Sequence, residues 1–302
     1  MRVMLTLQLL TIPLVAQGWK TWLEEGIEAF NVAHYPEAVA AFEKAVELNP
    51  DEVEPHLYLG VSWYVQYIPG ADGPETEVPL HKARSEFGRV LELEPNNLLA
   101  LQYRASLSFY TKEWDDAISS NKKVIAVDPR NKRAYYMLGV IAWVRFYSVY
   151  GAERARLGMK ADSPGPFLPS VAKLDLKDEF SSLVDEGIAN LQKALEIDPD
   201  YAQAMAYLSL LIRERGDLLD LPAEWERAAA MADEWSQKAI EAKEKRVASA
   251  PDAGHTESPI LVAPLEPAEP PPVKPAESSD LPETAEPAES VEAPESTEPE
   301  TL

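Results

Sequence analysis

Four short stretches of one design, ELNP, ELEP, AVDP and EIDP, end at Pro50, Pro95, Pro129 and Pro199, and they constrain this chain more than anything else in it. Each closes an amphipathic run, because a proline ring clashes with the preceding helical turn and the helix cannot continue through it. The separations are 45, 34 and 70 residues. One is a bare period of 34; the others read as that period with residues added. A short unit that cannot bury its apolar face alone must stack on its neighbours, so the spacing predicts an all-α solenoid with insertions.

The reference copy is Trp19–Glu52. It has small residues at Gly26, Ala38 and Ala45 and bulky ones at Trp22, Tyr35 and Phe42. As a helix–turn–helix, the small residues let two helices approach and the bulky ones fill the space between them. A second copy carries Leu59, Gly60 and Trp63, then Ala83 and Phe87, with the Gly/Pro-rich YIPGADGPETEVPL between. A third, Leu98–Asn131, keeps Ala105, Trp114 and Ala117 but has Asn121 where a large apolar residue is expected. The fourth has Leu138, Gly139 and Ala142, a long insertion, then Gly187, Leu191 and Ala194. The fifth runs from Tyr201 to Gly216, with a partner from Pro222 to Val247 that caps the solenoid.

This pattern over residues 19–247 resembles the tetratricopeptide repeat family. The resemblance implies an all-α, right-handed solenoid of about five repeats, at 19–52, 53–97, 98–131, 132–200 and 201–247. Insertions fall at about 67–79 and 147–182. An extra copy inside the second insertion, using Ala152 and Pro164, is disfavoured: KADSPGPFLP breaks too much helix, and Arg156 would take a buried apolar position. The first helix is expected to run on toward Gly158 and the chain to re-enter near Leu176–Phe180.

The two ends read differently. Residues 1–18 hold one base, Arg2, then an apolar run from Val3 to Val15 and small residues at Ala16 and Gly18. That run is too short to span a bilayer and suits a secretory signal cleaved after Ala16 or Gly18; the alternative is an apolar first helix packed on the solenoid end. Export makes the location periplasmic or extracellular; if the apolar run is not a signal, the expected location is cytoplasmic. From Pro251 to Leu302 there are twelve prolines, thirteen acids, one base (Lys274) and no aromatic residue. Such a tail cannot bury enough apolar surface to offset its ordering entropy, so it is expected to be disordered, as a spacer, an acidic interaction arm or a solubilising extension.

A net charge of −23 argues against nucleic acid and anionic membranes as partners. With no cysteine there are no disulfides or thiolate sites. His34, His56, His81 and His255 are scattered, without the i+3 or i+4 partner of a metal site, and no nucleophile or phosphate-loop motif appears; neither metal nor cofactor is expected. An acid/base cluster built by the second insertion from Arg154, Arg156, Asp175, Asp178 and Glu179 is the remaining enzymatic reading.

The resemblance implies that first helices line a concave face on which peptide ligands lie. The family's clamp for a C-terminal carboxylate uses Lys and Asn at places that here hold Leu23, Ile27, Leu99 and Tyr103. Aligned on Gly26, Gly60, Ala105, Gly139 and Ser209, the place four residues later holds Phe30, Tyr64, Phe109, Trp143 and Arg213. Three residues before, Gln102 and Tyr136 stand out. Rings of this kind suit an apolar or proline-containing extended segment. The function expected is a non-catalytic scaffold binding a peptide or partner helix; the alternative is a self-associating envelope component, or an accessory of a TonB-like assembly with the tail as spacer.

Overall fold

The computed structural model describes residues 15–71, 73–159 and 165–249. They form ten helices and no strand: α1 (Val15–Asn31), α2 (Tyr35–Leu48), α3 (Val53–Tyr64), α4 (Pro74–Leu93), α5 (Leu98–Tyr110), α6 (Trp114–Val127), α7 (Lys132–Arg156), α8 (Val171–Ile197), α9 (Ala202–Asp217) and α10 (Pro222–Ser249). Consecutive helices pair antiparallel as five helix–turn–helix units. First helices touch one another (α1 on α3, α7 on α9), whereas second helices pack less closely, so the first helices form the inner side of the curve.

Each unit closes by a small residue receiving a large one. A Cβ on Gly26 would lie 2.4 Å from the Phe42 ring, and one on Gly139 would lie 2.4 Å from Leu191. Only glycine allows these approaches. Phe42 and Leu191 are fully buried as a result. Trp22 does not share this role: it stays 38% exposed, and Trp19 and Leu23, one turn apart, enter the core with Ala38 and Phe42 instead. The prolines act as expected, in the turns after α2, α4, α6 and α8, and Asn97 and Asn131 then start the next helices by accepting the N–H groups of Ala100 and Ala134 at 3.1 Å.

Two turns between first and second helices put a side-chain-bearing residue in the left-handed region, Ala33 (φ 59°) and Lys112 (φ 60°). For an L-residue this conformation costs roughly 1–2 kcal/mol. Ala33→Gly is therefore expected to raise the stability of the first repeat by about 0.5–1 kcal/mol, read as a higher denaturation midpoint; an unchanged or lower midpoint contradicts it.

The structure refines the reading at three places. The loop placed at 67–79 ends earlier, because Pro74 starts α4 with Glu75 and Glu77 at its positive end, and Pro79 lies within the helix. The Thr76 hydroxyl ties the loop back, donating to the Ile68 carbonyl at 2.9 Å and accepting its N–H at 3.2 Å. In the second insertion α7 runs on to Arg156, as expected, but α8 begins at Val171 rather than near Leu176, because Ser170 caps it by accepting the Lys173 N–H. Third, Asn121 is buried and donates to the Ala117 carbonyl at 2.9 Å. Beside it lies a polar cavity of about 10 Å³, the size of one water molecule, lined by Gln102, Ser106 and Arg133.

No helix of the described residues is long and apolar enough to cross a membrane. The stretch read as a signal falls almost wholly on residues 1–14, and the tail on 250–302; both lie outside the described residues.

Candidate functional site

The seven inner-face residues do not form one stripe. Phe30 is half-buried and packs edge-on against Tyr35, apart from the rest. Tyr64 leans on Tyr103 with ring centres 4.8 Å apart, and its hydroxyl shares a 2.9 Å hydrogen bond with Ser106. Gln102 is half-buried beside Ser106 and Arg133. Phe109 is half-buried between Tyr110 and Trp114. Tyr136 is fully buried among Tyr201 and Tyr207 and presents nothing to a partner, so it is a core residue. Arg213 is likewise 7% exposed and donates to Asp233 on α10. Trp143 stacks on Tyr147 at 4.8 Å, and its indole N–H donates to Glu214 at 3.0 Å.

The surface that remains on the inner side lies between α3, α5 and α7. Tyr64, Tyr67, Gln102, Phe109, Tyr110 and Arg133 are each partly exposed there. They converge: Tyr67 and Tyr110 have ring centres 6.5 Å apart, and the Arg133 charge acts on the hydroxyls of Tyr64, Tyr103 and Tyr110. Burial pushes the Tyr64 hydroxyl up to about 12, so these phenols remain protonated donors at neutral pH. Hydroxyls, a carboxamide and a guanidinium beside flat rings can hydrogen-bond a backbone and cover apolar side chains together.

The acid/base cluster considered for the second insertion does not assemble. Asp175, Asp178 and Glu179 are exposed on α8, and Arg156 pairs locally with Glu153 at 2.7 Å. Arg154 instead turns inward to a buried network that the sequence did not announce. Asp217, at the end of α9, accepts from Tyr150, from Arg154 at 3.4 Å and from the Trp225 indole at 2.8 Å. Its backbone carbonyl receives the Phe167 N–H at 2.9 Å, and Arg154 also donates to the Gly165 carbonyl at 3.2 Å. The Asp217 carboxylate thus joins α7, α9 and α10, and its backbone carbonyl and Arg154 hold the 165–170 segment to them. The hint in the sequence is the charged stretch Arg213–Asp217 closing a helix that is otherwise apolar.

Glu214, beside it, is buried with one oxygen, Oε2, lacking a hydrogen-bond partner among the described residues. Burial pushes its carboxyl up to about 8, aided by the Asp217 charge and opposed by the Trp143 bond and the charges of Arg154 and Arg213. Burial likewise raises Asp217 to about 6. Folding therefore retains a proton on Glu214 that the unfolded chain, with its ordinary value of 4.5, releases. The associated stability is complete below the unfolded value and is lost as pH rises through the folded one. The stability of the fourth and fifth repeats is expected to fall between about pH 5 and 9, with Glu214→Gln flattening that fall; an unaltered profile in the variant would remove Glu214 as its source.

Of the histidines, His56 is the structural one. Its ring nitrogens face the Glu86 carboxylate at 2.6 Å and the Pro50 carbonyl at 3.0 Å, two acceptors that only the imidazolium satisfies together. Burial lowers its pKa, but these bonds outweigh that and leave it raised.

Comparison with known proteins agrees with this architecture. Residues 23–66 match the tetratricopeptide repeat family. A crystal structure of MamA protein superposes with a TM-score of 0.52 at 17% identity, over 80% of this chain and 99% of that one. MamA from Desulfovibrio magneticus RS-1 gives 0.52 at 18% identity, over 76% and 97%. No curated protein matches the sequence. Residues 23–66 are thus similar in sequence to a tetratricopeptide repeat, and the described residues share the fold of the MamA structures. Solenoids of this kind present extended surfaces to protein partners.

Proposed function

We propose that the chain is a non-catalytic scaffold whose inner face, between α3, α5 and α7, holds an extended peptide segment or a helix of a partner protein. The observation that carries this reading is the convergence of Tyr67, Gln102, Tyr110 and Arg133 on one partly exposed surface. The clamp for a terminal carboxylate has no counterpart here, so an internal segment fits better than a chain end; the rings favour one with apolar or proline residues. Residues 1–18 are read as an export signal, which N-terminal sequencing of the mature protein tests. Trp143 and Tyr64 are too deeply engaged in the core for their removal to test binding alone. A photo-crosslinking residue at Gln102 should instead capture a protein partner in the native extract, whereas one at Ser119, exposed on α6, should not. Equal yields at the two positions would overturn the inner-face reading.

A further inference from the structure

Where α4 and α6 diverge on the outer side of the solenoid, they leave an open groove of about 880 Å³. Leu91, Leu101, Ala126 and Val127 give it an apolar lining, and Arg104 and Lys123 add two bases. The carboxylate beside them, Glu92, is already paired with Arg89 at 3.1 Å. Neither Arg104 nor Lys123 has an ion-pair partner among the described residues. The groove therefore presents unneutralised positive charge beside apolar surface on an acidic protein.

The chain carries a segment of the opposite character. From Glu277 to Glu298 every third residue is acidic, eight in all, and the residues between are Ala, Ser, Thr, Pro, Leu and Val without a single base. A polyproline II helix has three residues per turn and a rise of about 3.1 Å per residue. In that conformation all eight acids fall on one edge, about 9 Å apart, and the small and apolar residues fall on the other two. An α-helix, with 3.6 residues per turn, would spread the same acids around its surface.

Position favours the encounter. The last turns of α10 lie at the turn between α8 and α9, where Lys245 pairs with Asp200 at 2.9 Å. That turn shares an edge of the solenoid with the turn between α4 and α5, whose Pro95 and Asn96 border the groove. The separation is about two repeats, roughly 20–40 Å from helix packing distances. The residues between α10 and Glu277 reach roughly 80 Å when extended as polyproline II, which is ample. Tethering also holds the segment at an effective concentration on the order of millimolar, so modest contacts suffice.

We propose that a stretch of the segment Glu277–Glu298 of the chain's own tail docks in the α4–α6 groove as a polyproline II strand, with successive acids of its edge on Arg104 and Lys123 and small residues and prolines on Leu91, Leu101 and Val127; about seven to ten residues at a time match the length of the groove. This site is separate from the inner face and stands whether or not that face binds a peptide.

Because the sequence has no cysteine, Ser119→Cys, exposed on α6 outside the groove lining, and Ser290→Cys in the full chain confine a donor and acceptor dye pair to these two positions. High energy transfer at low ionic strength is expected, independent of protein concentration, and falling by about half or more toward the value of an unconstrained tail at about 0.5 M salt. Arg104→Glu with Lys123→Glu should produce the same fall at low salt. So should a tail of identical composition reordered to put its acids out of the three-residue register. Circular dichroism should show unchanged helicity in the groove variant, both residues being exposed; were helicity lost, Arg104→Gln with Lys123→Gln is read in its place. Low transfer in the parent protein overturns the docking, and transfer that grows with concentration assigns the tail to a second copy and overturns the intramolecular contact. Transfer untouched by the groove variant places the tail elsewhere, and transfer untouched by reordering overturns the single-edge arrangement.

Discussion

Asp217→Ala is expected to destabilise the C-terminal half of the solenoid by about 3–5 kcal/mol, because it removes a buried carboxylate that pairs with the buried Arg154. Both groups are only 3% exposed on their side chains, so water cannot replace the lost partner. The same change strips an acceptor from the Tyr150 hydroxyl and the Trp225 indole. Asp217→Asn, which keeps the shape and one acceptor, should cost less. Replacing the pair together, by Arg154→Met and Asp217→Leu, should recover much of the loss, since an apolar pair carries no desolvation penalty. Chemical denaturation with hydrogen exchange resolved by repeat is the measurement. A loss below about 1 kcal/mol for Asp217→Ala would show that the network is not what holds the end of α9.

At the other end, Phe42→Ala should cost about 3–5 kcal/mol, confined to the first repeat and its contact with the second. Phe42 is fully buried, lies on Gly26 and stacks on Tyr58 with ring centres 5.4 Å apart. Gly26→Ala alone should also destabilise, by about 1–3 kcal/mol, since its methyl would meet that ring. The two together should cost less than their sum, the methyl occupying part of the space the ring vacates, with a coupling of about 1 kcal/mol or more. Strict additivity would mean that the ring and the glycine do not form the contact described.

The contrast between these two sites explains what was legible in the sequence. Gly26 and Phe42 are sixteen positions apart, within one repeat, and the same small–large pairing recurs in Gly60 with Phe87, 27 positions apart across the first insertion, so the pairing is legible once the inserted residues are set aside. Prolines and the capping residues Asn97 and Asn131 are equally local. The inner face was only partly legible. Alignment by repeat placed Tyr64, Gln102 and Phe109 on it, but Tyr136 and Arg213 occupy equivalent places and are buried, because α9 and the lengthened α8 enclose that end. Register within a repeat specifies which side of a helix a residue occupies; it does not specify what covers that side. Trp22 and Trp19 show the same limit on a smaller scale, one turn of helix deciding which ring is enclosed. Arg154 showed it most clearly, since neither of its buried partners, Tyr150 and Asp217, is marked as such by the repeat.

The position of Asp217 also sets an order of events during synthesis. Arg154 precedes its partner by 63 residues. At roughly 5–20 residues per second, the far half of α7 is made about 3–13 s before the carboxylate that it requires. The first three repeats, whose contacts are local, can close within that interval. The far end of α7 must wait, with its arginine and its rings open to water, until the end of α9 emerges.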